Sequence, residues 1–411
     1  MKLWLKILIA MGMGVVVGLV FGESATQIQW IGDIFLSLIN MIIILLVLSS
    51  MTVGITSIHD PQKLGRVGLK TLIIYLSTTL VAILIGLGFA SFFKPGTGLQ
   101  LVQTGSVVLQ EAPSMKQILI NIVPSNPLES MVNGEVLQVI VFSLFLGISI
   151  NFSGEKGRPL LEFMESLADV MYRLTSIVME FSPVGVFAIM ASLVGKHGLQ
   201  GLMPLAEFLG LYYLACILHI LVVYCSILWF IAKLHPWPFF RGMGDALMVA
   251  FSTSSSSAAL PVSMHCVQQN LGVSKNITRF VLPLGSTVNM NGAAIYQGMS
   301  VIFIAQAYGL ELGWQQLITI VVTATLSAIG AAGIPGSGYL MLKVVFGSVG
   351  LQAGEGLLLL AGIDRVREMG STLLNVMGDS VAAVVVARQE GELDERQYYH
   401  EELVELEGGE I

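Results

Sequence analysis

Six polar residues recur at helical spacing late in the chain: Asp364, Glu368, Ser371, Thr372, Asn375 and Asp379. At about 100° per residue, with Asp364 at zero, Glu368 falls at about 40°, Ser371 at about 340°, Thr372 at about 80°, Asn375 at about 20° and Asp379 at about 60°. They share one stripe, about 22 Å long, while Leu373, Leu374, Val376 and Met377 take the other faces. Carboxylates, hydroxyls and an amide in one line can hold a cation or a substrate ammonium. Each acid at the centre of a bilayer costs about 3 kcal/mol. Three unpaired ones would consume much of a domain's stability of about 5–15 kcal/mol. Arg365 and Arg367 flank the stripe and offer a purely structural alternative, a buried ion-pair network. They cannot reach both ends, because Asp379 lies more than ten residues beyond them. A mobile cation is therefore expected at Asp379.

The elements that position this stripe belong to a membrane protein. Hydrophobic residues make up 55% of the 411 positions and charged residues 11%, against about 25% charged in soluble domains. Apolar stretches at 7–22, 29–56, 71–93, 136–152, 170–195 and 208–232 read as ordinary spans. Basic residues favour cytoplasmic loops. Lys2/Lys6, Lys63/Arg66/Lys70, Lys156/Arg158, Lys233/Arg241 and Lys275/Arg279 alternate with poorer loops, which puts both termini in the cytoplasm. The count requires the segment between Arg241 and Lys275 to enter and leave on one face. The net charge of −7 resides in residues 388–411, which hold nine acids, Arg388 and Arg396. That stretch reads as a solvated acidic tail, with a partner-binding role as the alternative. No basic patch suggests nucleic acid, and Cys216, Cys225 and Cys266 make no disulfide framework or metal spacing. His219, in an apolar span, reads as packed and hydrogen-bonded rather than as a proton relay.

Between 246 and 387 the chain is poor in charge and rich in Ser, Gly and Asn. In "FSTSSSSAALPVS" (251–263) six Ser/Thr precede Pro261; the hydroxyls can satisfy the freed amides of a broken helix, and the proline separates its halves. "SAIGAAGIPGSG" (327–338) is a second break, with four glycines and Pro335. Each is followed by a helix with a polar centre, the first being "GSTVNMNGAAIYQG" (285–298). Matching interruptions in two half-units point to a transporter site near the bilayer midplane. Tight helix crossings are the plainer alternative.

"SSSS" before Pro261, "NMNG" at 289–292, "GIPGSG" at 333–338, and "GID", "NV" and "GD" in the last helix resemble the dicarboxylate/amino acid:cation symporter family, the glutamate transporter homologues. The resemblance implies an all-α polytopic protein of eight transmembrane helices and two re-entrant hairpins built as inverted repeats, forming a homotrimer with an elevator mechanism in the plasma membrane, with a bacterial inner membrane the expected setting. Scaffold helices would occupy 1–65 and 99–198. The transport unit would take 66–98 and 199–387, with hairpins at about 243–271 and 314–347, and 388–411 would form the tail. Transported sodium would be held at Gly285, Asn289, Asn375 and Asp379, and at Thr287, Ala328, Ile329 and Ala331. A third sodium site would use Tyr75, Thr78, Thr79, Asn289 and position 291, where this sequence has Asn291 in place of an aspartate. Loss of that charge leads to an expectation of coupling by fewer sodium ions, with protons as the alternative. No organic cofactor is implied.

For substrate, the resemblance implies contacts from Ser255, Ser256 and Ser257, from Gly333, Pro335 and Gly336, and from Glu368, Thr372 and Asn375. Positions that in acidic-substrate members carry an arginine and a threonine are here Ser371 and Ala293. An extra carboxylate would then be desolvated without a bidentate partner, at a cost of several kcal/mol. A neutral amino acid is the expected cargo. The alternative is an acidic amino acid or C4-dicarboxylate, with sodium or protons as the coupling ion and with Arg365 or Arg367 turned inward. A passive channel fits sealed Gly/Pro hairpins poorly. An intramembrane hydrolase lacks a base beside the serines, since His265 follows the turn without an acid partner in the sequence.

Overall fold

In the computed structural model residues 3–56, 61–99, 120, 123–198, 202–330, 336–351 and 354–399 are described. Ala331, Gly333, Pro335 and the stretch 400–411 lie outside the described residues, as does the side chain of Ile329. Among the described residues the chain is helical throughout, and a single antiparallel bridge, Val273 to Leu393, is its one piece of strand-like pairing. The helices are α1 (Leu3–Phe21), α2 (Gln29–Thr56), α3 (Pro61–Phe93), α4 (Pro127–Asn133), α5 (Val136–Ser153), α6 (Arg158–Glu180), α7 (Ser182–His197) and α8 (Met203–Leu218). They continue with α9 (Pro236–Thr253), α10 (Ser256–Gln269), α11 (Lys275–Val288), α12 (Asn291–Ala307), α13 (Trp314–Gly330), α14 (Ser337–Ser348), α15 (Gly354–Glu390) and α16 (Glu395–Tyr399).

Five helical stretches among the described residues are long and apolar enough to cross a membrane: Leu5–Phe35, Arg66–Phe93, Gln138–Lys156, Met203–Ala232 and Gly356–Glu390. Ile44–Thr56 and Ser182–Lys196 are shorter apolar helices. Large apolar side chains such as Val20, Phe92, Phe152, Phe163 and Phe230 lie on the outside, where hydrocarbon replaces water. α15 is different. Its apolar window is 94% buried, so the charged stripe faces other helices and not lipid. Helices α8, α9, α10, α11, α12 and α14 surround it, and α3 and α7 touch it as well. α1 packs on α7, and α2 on α5, α6 and α7.

Several sequence expectations change. The span read at 170–195 straddles a helix end: α6 stops at Glu180 and α7 starts at Ser182, with Pro183 in its first turn. Proline lacks the amide a continuing helix needs, so Pro183 suits a start. The first hairpin does not break at Pro261, which sits inside α10. The chain reverses at Ser254, in the left-handed region at φ 53°, and Ser255 caps α10 by accepting the Ala258 amide at 3.2 Å. The helix read across 285–298 is two helices, α11 and α12, separated by an unwound Asn289–Met290. The tail also departs from expectation. α15 runs to Glu390, and residues 391–399 return to dock on the protein.

Candidate functional site

α15 carries the stripe as one uninterrupted helix. Glu368, Ser371, Thr372, Asn375 and Asp379 are all buried, and Asp364 keeps slight exposure. Arg367 pairs with Asp364 and lies 4.0 Å from the centroid of the Tyr296 ring of α12, a cation–π contact. Its guanidinium reaches the start of α14, 3.1 Å from where a Cβ on Gly338 would stand. Arg365 pairs with Glu368 at 3.0 Å, and the other Glu368 oxygen accepts the Gly336 amide, the cap of α14. Two of the three acids are therefore neutralised by resident arginines one turn away. The structural alternative, an ion-pair network with Arg365 and Arg367, therefore accounts for Asp364 and Glu368 and leaves Asp379 outside it. Both arginines keep a buried Nε–H with no acceptor among the described residues.

Asp379 has no basic neighbour among the described residues; it accepts a hydrogen bond from Asn289 Nδ2 at 2.9 Å. Asn289 sits in the unwound stretch, where the last carbonyls of α11 lose their helical partners. A Cβ on Gly285 would strike the Asp379 carboxylate and come within 2.5 Å of the Tyr75 hydroxyl. Glycine at 285 is thus the condition for α11 to approach the acid. A carboxylate beside a helix C-terminus rich in carbonyls is a hard, oxygen-only environment suited to an alkali cation or to a proton. The Thr287 hydroxyl is turned back to Leu284 O at 3.0 Å, and buried Ala328 lies on α13, which packs against α11.

Asn375 accepts the Gly292 amide at 2.8 Å and points its Nδ2 at Met290 Sδ, 3.1 Å away. Its side chain thereby pins the start of α12 to α15. Gly292 is close enough that an added Cβ would lie 2.5 Å from both Ser371 Cα and its carbonyl oxygen. Ala293, buried, follows directly and faces Gly338 across 3.5 Å from that glycine's virtual Cβ.

The residues expected to form a third cation site do assemble, as a hydrogen-bond chain. Thr79 Oγ1 donates to Asn291 Oδ1 at 2.8 Å, Asn291 Nδ2 donates to the Tyr224 hydroxyl at 2.8 Å, and Tyr224 donates to Leu374 O at 3.0 Å. Thr78 reaches Asn289 Oδ1 at 3.4 Å and Tyr75 donates to Val281 O at 2.8 Å. An aspartate at 291 could not donate to Tyr224. The amide fits this chain without any ion.

At the first hairpin's tip Ser254, Ser255 and Ser256 are buried and Ser257 is half-buried. Ser254 Oγ has no partner. Sequence reasoning missed Tyr212, Tyr224 and Tyr296, whose contacts arise only when α8, the π-helical turn that continues it and α12 meet α15. Tyr212 donates to Gly292 O at 3.1 Å, beside Ser371. His219 is packed as expected, 4.8 Å from the Tyr224 ring, but neither of its nitrogens has a hydrogen-bond partner. It lies in a π-helical stretch, His219–Tyr224, a widened turn that no composition signal announced.

A chain that is helical among its described residues, with several membrane-length apolar helices and polar residues converging on one buried, charge-bearing helix packed against α9, α10 and α14, has the make-up of a multi-pass membrane transporter. The chain belongs to the sodium:dicarboxylate symporter family, whose sequence model matches residues 3–389. It is 38% identical over 407 residues to the proton/sodium-glutamate symport protein of Geobacillus stearothermophilus, covering 95% of each chain. It is 35% identical to the proton/glutamate-aspartate symporter of Escherichia coli (strain K12), across 95% of this chain and 94% of that one. Identity to the C4-dicarboxylate transport protein of Bacillus subtilis (strain 168) is 32%, across 96% and 95%. The family's members are symporters, so this chain is a transporter and not an enzyme, and it moves a small solute together with a cation.

Proposed function

We propose that the protein takes up an acidic amino acid or a C4-dicarboxylate by symport with sodium or protons. The observation that carries this is the position of Arg367: buried, beside the second hairpin's Gly338, and with an Nε–H that meets no acceptor among the described residues. Arg367 stands one helical turn before Ser371, about 40° around α15. A long guanidinium there can serve a side-chain carboxylate that an arginine at 371 would otherwise hold. The neutral-substrate expectation rested on the departures at Ser371 and Ala293 and took no account of a buried Arg367 one turn away. The relatives named for glutamate, aspartate and C4-dicarboxylates agree with the acidic reading.

In this reading the first hairpin's Ser255–Ser257 and the amide of Asn375 hold one carboxylate and Arg367, with Arg365 behind it, the other. Asp379, with Gly285 and Asn289, binds the coupling cation. A homotrimer moving its site as an elevator, in a bacterial inner membrane with cytoplasmic termini, completes the proposal. Uptake into proteoliposomes of labelled glutamate, aspartate, succinate, alanine and serine, under separate sodium and proton gradients, tests it. Acidic solutes are expected to lead, and Arg367→Met to lower their kcat/KM by about a hundredfold or more, the scale of an unpaired buried carboxylate. Preference for alanine or serine in the unaltered protein refutes the acidic reading.

A further inference from the structure

The residues after α15 do more than solubilise its end. Glu390 closes α15 onto α3 through Lys70, at 2.6 Å, and Arg66. The chain then turns back along the open base of the first hairpin. Ser274 N donates to Glu392 O at 3.1 Å and Asp394 N to Gly272 O at 2.8 Å. Gln397 Nε2 donates to the carbonyls of Gln268 and Gln269, at 3.2 and 2.6 Å, capping the last turn of α10. Tyr398, fully buried, donates to His235 O at 3.0 Å, while the His235 amide donates to the Tyr399 hydroxyl at 3.2 Å. His235 is the cap of α9. One short segment thus grips both legs of the hairpin where they enter and leave, and Asn270 Nδ2 ties them together by donating to Gly242 O at 2.7 Å. Gly272 is the pivot: its φ is +70°, and a Cβ there would sit 2.5 Å from Asp394 O.

We propose that residues 391–399 are a strap that sets the depth and register of the first hairpin against α15, and that Tyr398 and Gln397 are positioning residues for the Ser254–Ser257 tip. The hairpin legs are rigid helices packed along α15, so a shift at the base is carried to the tip. The strap contacts are hydrogen bonds with main-chain amides and carbonyls of the hairpin's base at fixed positions, which specify register in a way that apolar packing does not. The proposal rests on the tip being part of the substrate site.

The test compares substrate Kd and transport KM for Tyr398→Phe, Tyr398→Ala, Gln397→Ala and Gly272→Ala, with removal of 400–411 as a control. Tyr398→Ala and Gly272→Ala, which disturb the strap from opposite sides, are expected to raise Kd and KM for the best acidic substrate about fivefold or more. Tyr398→Phe is expected to fall between Tyr398→Ala and the unaltered protein, and the control to match the latter. A strap that only held the fold together would lower the yield of folded protein and leave Kd of the folded fraction unchanged, and that result overturns the proposal. An unaltered protein that binds no acidic substrate overturns the functional reading instead, and the same variants measured with whichever solute it does bind still decide the strap.

Discussion

Asp379→Asn separates the two kinds of acid in the stripe. Asp379 is 3% exposed and receives one hydrogen bond from Asn289, with no arginine or lysine beside it among the described residues. A buried charge left without a partner costs several kcal/mol, about 3–5 when one side of a buried pair is removed. Asparagine has the same shape and can still accept from Asn289. The substitution therefore removes the charge and keeps the packing. The cation-free protein is expected to gain about 1–3 kcal/mol of stability on losing this desolvated charge. Coupling-ion binding is expected to disappear. In the unaltered protein a ligand at a hundred times its Kd stabilises the folded state by about 2.7 kcal/mol, so the melting temperature should climb with sodium, or with acidity if the proton is the coupling ion. In Asp379→Asn it should stay flat. The assay is thermal unfolding in detergent against a choline-balanced sodium series at several pH values, paired with uptake under each gradient. An undiminished cation-dependent rise in the variant, together with unchanged gradient-driven uptake, refutes the assignment of Asp379 as the compensated acid.

Two further substitutions read other parts of the site. Gly292→Ala places a Cβ 2.5 Å from Ser371 backbone atoms; α12 must retreat from α15, with an expected loss of about 1–3 kcal/mol in unfolding free energy and weakened substrate binding in a titration. Asn291→Asp removes the donor that meets Tyr224 and buries a second uncompensated carboxylate. Stability in sodium-free solution is expected to fall by about 3 kcal/mol and to recover in part as sodium is added, which a melting series would record.

The stripe itself was legible, because a 100° period written over sixteen residues of α15 leaves little else for the chain to do. Both interruptions were legible too, through runs of Ser and of Gly, although proline misdirected the position of the first. Pro261 tolerates the second turn of α10, and the break belongs to the serine that adopts a left-handed backbone. The Asn289–Met290 unwinding escaped notice because nothing in "NMNG" forbids helix; the stretch unwinds where tertiary partners, Asp379 and Asn375, take up the Asn289 side chain and the Gly292 amide. The pairing of Asp364 with Arg367 and of Glu368 with Arg365 was open to the sequence at i,i+3. What chose resident arginines over cargo was burial of the whole helix, a fact of packing. The docked strap was hidden for the opposite reason. Its acidic composition reads as solvated, and only Leu393 and Tyr398 mark the face that turns inward.

The electrostatics of α15 also bear on membrane voltage. Arg365 and Arg367 cancel Asp364 and Glu368, so along the stripe Asp379 is the acid left without a basic partner among the described residues. Carrying one such charge through the full field is worth about 2.3 kcal/mol per 100 mV. In the proposed transport cycle a monovalent ion seated on Asp379 would erase that sensitivity, so the half of the cycle that travels without the ion would be the half on which the cell's potential does work.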